Sequence, residues 1–352
     1  MADPWWLIGD RIWAGPDRWL RRSALPMRGP VAAGGDPVEP ERLPPGARTL
    51  AIDGLILPGL HDAHVHSGLV DLRAVRRGGI ASVTDLGSVP AQVAELRRES
   101  LTPTSDLPVL ELVGAFLTAP GGYPSDRSWA AAGSWREVRS VVDAEIAVAE
   151  QAAFGARAVK VAINLEAGPV PTPSVLAAIV AAAQARGLLV IAHAQGAGAV
   201  RMALTAGVDV LAHAPWTESL GPDLIRECAR QTTWISTLHI HDPRGGGPAW
   251  DMVRGNLREF LGHGGILRYG TDLGNGPLPL GINAEEIGAL QTLGLSVDEL
   301  LTAMTGPLAS PAAGTGPSRF VAGVAPCVLV NPIGPDDRGV GPLLAQAQVW
   351  RR

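Results

Sequence analysis

Eight short apolar runs, interleaved with Ala-rich stretches of helical spacing, predict an α/β chain. The runs recur across about 250 residues, which fits a (β/α)8 TIM barrel better than an open doubly wound sheet. No GxGxxG opens a helix after the first run, which weakens the dinucleotide-binding alternative. Both chain ends break the pattern with short pieces, Trp-bearing and Pro-interrupted at the start. Neither end is large enough for a core of its own. Residues 1–57 and 317–352 therefore predict two halves of one small β domain beside a barrel at 58–316.

The strands are expected at 55–66, 80–86, 109–117, 156–163, 188–193, 208–213, 233–239 and 266–271. Helices are expected at 89–99, 134–154, 173–186, 197–206, 223–231, 249–262, 284–293 and 296–304. Parallel neighbours need such crossovers between them. Ser296 with Glu299 three residues on has the pattern of a capping box.

Composition narrows the function. A formal net charge of −5 over 352 residues, with no clustered basic tract, argues against a nucleic-acid partner. Two cysteines, Cys228 and Cys327, make neither a disulfide scaffold nor a thiolate metal site. No apolar run approaches the roughly 20 residues of a membrane span, and Asp3 and Asp10 interrupt the N-terminal stretch. A soluble cytoplasmic protein acting on a small molecule is the expectation.

Of 29 cationic residues only one is lysine, Lys160. Arginine stays protonated in proteins, whereas a desolvated lysine can shed its proton and react. The fourth predicted strand carries Lys160. The first ends in Asp62-Ala63-His64-Val65-His66, and alternate strand residues share a face, so His64 and His66 can hold one ion. His193 and His213 end the fifth and sixth strands, and Asp272 follows the eighth. From His66 to Lys160 is 94 residues, three steps of a βα unit of roughly 30. Barrel enzymes gather their chemistry at the C-terminal strand ends, so these six residues converge on one rim.

Pro58 through His66, Gly79 through Gly87, Gly155 through Lys160, Ile191 through Ala194, Gly207 through His213 and Gly270-Thr271-Asp272 together resemble the amidohydrolase superfamily. The likeness spans about residues 45–333 and is carried by a specific combination of motifs. It implies a distorted barrel with a β-sandwich appendage and two divalent metal ions, usually zinc. It also implies that His64, His66 and Asp272 hold the more buried ion and His193 and His213 the more exposed one. Lys160, carboxylated by carbon dioxide, would bridge them; a carbamate forms from a neutral primary amine, which arginine does not offer. Members are often dimers or larger, so a homo-oligomer stays open.

A metal pair lowers the pKa of a bridging water, giving hydroxide near neutral pH. Asp272 would pass its proton to a leaving nitrogen as general acid–base. The implied reaction is cleavage of an amide, cyclic amide or imide C–N bond. The loop Thr118 to Tyr123 resembles a substrate-facing loop of the imidazolonepropionase-like and Xaa-Pro dipeptidase-like branches, which often carry His where this chain has Tyr123. Trp216 is a candidate pocket wall, the pair His239 and His241 a candidate substrate clamp, and Arg244 a candidate anion contact. Three alternatives remain open: a lactone, ester or phosphotriester hydrolase on the same centre, a mononuclear ring deaminase, and a scaffold without catalysis. The deaminase is disfavoured because neither His193 nor His213 is followed closely by a proton-shuttling Glu.

Overall fold

The computed structural model describes residues 4–102, 104–241, 244–306, 308, 309, 311 and 320–351. The expected domain boundary at 316/317 lies outside them. Strands β1 (Pro4–Trp13), β2 (Trp19–Arg28), β3 (Val31–Ala32) and β4 (Thr49–Leu57) come from the first end. A parallel group follows, β5 (His61–Val65), β6 (Ser82–Asp85) and β7 (Val109–Leu112). A second comprises β8 (Phe116–Thr118), β9 (Trp135–Glu137), β10 (Ala158–Asn164), β11 (Leu189–Gln195), β12 (Val210–Leu211), β13 (Thr233–Ile235) and β14 (Ile266–Arg268). β15 (Cys327–Leu329) and β16 (Gln348–Val349) return to the first end, giving one mixed sheet ordered β16-β15-β4-β1-β2-β3.

Where one set of eight strands was expected, the parallel strands form two sheets, β5-β6-β7 and β14-β13-β12-β11-β10-β8-β9. Backbone bonds link their margins. Ala63 N donates to Tyr269 O (3.0 Å), Leu273 N to His64 O (3.1 Å), and Arg157 N to Leu112 O (3.0 Å). β10 is buried at all seven positions, the burial expected of a strand covered on both faces, and its residues are apolar except Lys160 and Asn164.

Three predicted elements divide. The 55–66 run is two strands, because Pro58 and Gly59 turn the chain from the mixed sheet into the parallel one. A Cβ on Gly59 would fall 2.7 Å from Ala325 O, so the crossing admits no side chain. The 109–117 run breaks at Gly114, whose φ of +83° suits glycine. The 134–154 helix starts late, at Val141–Ala153, with Ser140 Oγ accepting from Asp143 N (3.1 Å); β9 takes its first residues. The strand at 233–239 stops at Ile235, and His239–His241 forms a 3-10 turn. The capping box at Ser296 and Glu299 is present, opening the helix Val297–Thr305. Among the described residues no helix is long and apolar enough to cross a membrane.

The strands that carry the candidate site are packed by their own earlier residues. Ala63, Ala158, Ile191, Val210 and Ile235 share one buried apolar cluster. Lys160 and His193 lie two residues further along the same strands.

Candidate metal centre

His64 and His66 flank Val65 at the end of β5, and each ring is fixed by its Nδ1. His64 Nδ1 donates to Ala212 O (2.8 Å) and His66 Nδ1 to Gly87 O (3.2 Å). Neutral rings bonded this way turn the lone pairs of their Nε2 atoms inward. Both meet the same atom, Asp272 Oδ1, at 3.0 and 3.2 Å. Burial pushes His64 down to about 4, with Lys160 adding to the effect, so it is neutral at pH 7. The two Nε2 atoms and the carboxylate oxygen thus converge on one point. The ligand atoms of these three buried residues all lie within 4.8 Å of one another. A divalent cation satisfies such a donor set, and the N, N, O chemistry suits zinc.

The other histidines lie alongside. The His213 ring is centred 4.6 Å from that of His64 and 5.0 Å from that of His193. His213 Nδ1 bonds Thr237 Oγ1 (3.0 Å), leaving Nε2 free to bind an ion. His193 is held by the opposite nitrogen, its Nε2 bonding Gln195 Oε1 (3.0 Å), which leaves Nδ1. Desolvation is the largest cause lowering both, His193 to about 3. Lys160 is 1% exposed; its Nζ lies 3.3 Å from His64 Nε2 and 4.8 Å from the centre of the Phe116 ring. Burial lowers its amine to about 8 against the pull of Asp272 and Asp85.

Asp272 has φ +58°, a left-handed conformation uncommon for a non-glycine residue and often found at functional sites. Burial works to raise its carboxyl, but the His64, His66 and His213 contacts hold it well below the usual carboxylate range. Asn275 Nδ2 donates to its Oδ2 (2.8 Å). Asp62 supports both ligand segments from behind. Its Oδ1 accepts from His64 N (3.0 Å) and Thr271 N (3.1 Å), and its Oδ2 from Thr271 Oγ1 (2.6 Å).

A cavity of about 340 Å³ opens over these groups. His66, Lys160, His193, His213, Asp272, Tyr123 and Trp216 line it. Tyr123 stacks on His193 with centroids 5.0 Å apart, and Trp216 meets His213 edge-on at 5.1 Å. The candidate clamp lies differently. His239 Nδ1 turns to Asn283, His241 packs against Trp216 at 5.1 Å, and the residue lining the cavity is Ile240 between them. Arg244 pairs with Glu285 at 3.4 Å and is largely exposed. Phe116, Trp129, Gln195 and Asn275 also line the cavity and escaped sequence reasoning. Phe116 read as strand core and the others as loop or strand-end residues. Only the position of Gln195, two residues past His193 on one strand face, offered a signal.

No family model matches the chain. An uncharacterized protein of Mycobacterium tuberculosis is 30% identical over 292 residues, covering 73% of this chain and 74% of its own. Among solved structures, an ochratoxinase of A. niger superposes with a TM-score of 0.78 at 17% identity, covering 99% of this chain and 95% of its own. A Xaa-Pro dipeptidase crystallised with methionine in its active site gives 0.77 at 17% identity, covering 98% and 97%.

Proposed function

From a chain that belongs to one family with the mycobacterial protein and carries the amidohydrolase-superfamily fold, we propose a metal-dependent hydrolase of C–N bonds. The observation that carries the reading is the meeting of His64 Nε2 and His66 Nε2 on the same atom, Asp272 Oδ1. In this reading His64, His66 and Asp272 hold one divalent ion, His193 and His213 a second, and zinc is the ion their chemistry favours. The two parallel sheets are then one distorted (β/α)8 barrel, joined by the bonds at their margins.

Lys160, as a carbamate, would add anionic oxygens to this donor set. Its neutral amine adds to carbon dioxide, an N–C bond forms and one N–H proton leaves. A buried amine lowered to about 8 keeps a useful neutral fraction near pH 7. Bound divalent ions supply Lewis acidity to a substrate carbonyl and acidify a water. The chain's own residues do the rest. Asp272 takes the proton of the attacking water and returns it to the leaving nitrogen. Asn275 holds the carboxylate of Asp272 in place, and Tyr123 and Trp216 keep bulk water from the rings of His193 and His213. Net, water adds across the C–N bond, giving an acid and an amine.

Metal analysis of the purified protein tests the reading, with about two ions per chain expected. A chelator should abolish hydrolysis in a screen of N-acyl amino acids, anilides, hydantoins and lactones. Lys160→Arg should fold, retain about one ion and lose turnover. Full turnover by metal-free protein would overturn the proposal, and cleavage confined to lactones would move it to the ester-hydrolase alternative.

A further inference from the structure

We infer that the chain has a second ligand site, for a phosphate group, where the helix Leu72–Arg77 meets β16 of the mixed sheet. It goes beyond the hydrolase reading and does not depend on it. The helix leads through Gly78 and Gly79 into the start of β6, so the site lies at the strand ends opposite His64 and His66.

A cavity of about 410 Å³ opens there, and Arg76, Arg77, Gln348, Trp350 and Arg351 are among its lining residues. Arginines in the last turn of a helix ordinarily face its dipole from solvent. Arg77 does so, exposed and 3.4 Å from Asp71. Arg76 is different. It is only 9% exposed, and among the described residues no hydrogen bond or ion pair reaches its guanidinium. The carboxylate whose charge it feels, Asp106, is bonded instead to Arg73 at 2.9 Å. The Cys327 thiol nearby is pushed up to about 12 by burial, so it is neutral and supplies no counter-charge. Burial and the charge of Arg351 both push the Arg76 guanidinium down, yet arginine keeps its proton in proteins.

A buried cation without a partner costs stability, and the repulsion from Arg351 adds to the cost. In the same wall Trp350 keeps its Nε1–H buried with no acceptor. Donors and positive charge are in excess, and the missing component is an anion. Phosphate fits better than carboxylate. It offers three strong acceptor oxygens and about two negative charges to several guanidiniums at once, whereas a carboxylate is matched by a single guanidinium fork. The volume leaves room for an organic group beyond the phosphate.

Calorimetry on the full chain as purified tests this with inorganic phosphate, phenyl phosphate and benzoate. A phosphate should bind, and benzoate should bind at least about tenfold more weakly, the worth of one charge-assisted hydrogen bond. Phenyl phosphate binding more tightly than the inorganic ion supports the site with a phosphate ester as its ligand; equal binding supports it with the free ion. Arg76→Met should weaken phosphate by about tenfold or more, leave metal content unchanged, and raise Tm in phosphate-free buffer because an unpaired buried charge is gone. Should that variant fail to fold, Arg77→Gln combined with Arg351→Gln, both exposed, should weaken phosphate by about fivefold. The inference is overturned if neither phosphate binds, if benzoate matches phenyl phosphate, or if the affinity survives these substitutions, as it would for phosphate held at the metal centre.

Discussion

Thr271 shows how a side chain that touches no ion can govern one. Its hydroxyl donates to Asp62 Oδ2 at 2.6 Å, and its backbone N to Oδ1. Asp62 in turn receives His64 N, so one carboxylate ties the His64 strand end to the residue before Asp272. Partners of this kind typically affect metal affinity by 10–100-fold. Thr271→Val keeps the shape and removes the donor. The variant should bind zinc about tenfold more weakly in a competition titration and lose about 1–3 kcal/mol of stability when metal-free. Unchanged affinity would show that the strand ends hold their geometry without this bond. Asp62 and Thr271 were both visible as letters of the motifs, but the bond between residues so far apart in the chain was not. Lys160 was the opposite case: a composition so poor in lysine exposed it before any strand was drawn.

Among the elements, two contacts decide how the site is mounted. The 3-10 turn His239–His241 rests on the helix Ala284–Thr292, where Glu286 Oε2 accepts from His239 N at 2.7 Å. Burial raises the Glu286 carboxyl from 4.5 to about 7, although hydrogen bonds from the turn oppose the shift. A folded value above the usual one means that the protonated acid suits the fold. The contribution is complete below about pH 4.5, is lost as pH rises through about 7, and is constant above that. Glu286→Gln keeps an acceptor for His239 N without the charge. Relative to the parent chain it should gain up to about 3 kcal/mol between pH 5 and pH 8 in denaturant unfolding. Parallel pH profiles would reject the buried charge as a cost. The second contact joins the mixed sheet to the helix Val297–Thr305: Trp13 Nε1 and Trp19 Nε1 donate to the two oxygens of Asp298, at 2.6 and 3.0 Å. Hydrogen bonds to a charged acceptor are worth about 1.5–3 kcal/mol each. Asp298→Ala should therefore cost about 3 kcal/mol and lower Tm by several degrees in calorimetry, with metal content unaffected. Neither contact has a sequence signature. The signals that did place elements were local, such as Ser296 with Glu299, whereas β9 was hidden within an expected helix because Trp135–Glu137 is only three residues long and is held by its pairing with β8.

Across the whole molecule the candidate site draws on both parallel sheets, and this explains what could be read in advance. A strand end is marked by where an apolar run stops, so His64, His66, His193 and His213 were assignable one by one, while Lys160, inside its strand, stood out by composition. Closure between sheets depends on backbone bonds such as Leu273 N to His64 O, which leave no trace in residue type. The same fact gives a prediction about metal removal. His64 and His66 stand in the three-stranded sheet; Lys160 and His193 stand on strands of the seven-stranded sheet, and His213 and Asp272 follow others of that sheet. An ion held across them would act as a cross-link. Free zinc at a thousand times its Kd stabilises by about 4 kcal/mol per site. A strong chelator should thus lower Tm by roughly 8 °C or more. Hydrogen exchange should accelerate at the ends of β5, β10 and β11, while β1 and β2 in the mixed sheet stay protected because no candidate ligand lies on them. Uniform acceleration across all three sheets would mean that the ions stabilise the chain as one cooperative unit. No change at all would mean that the six residues close the centre without metal, and the hydrolase reading would fall with it.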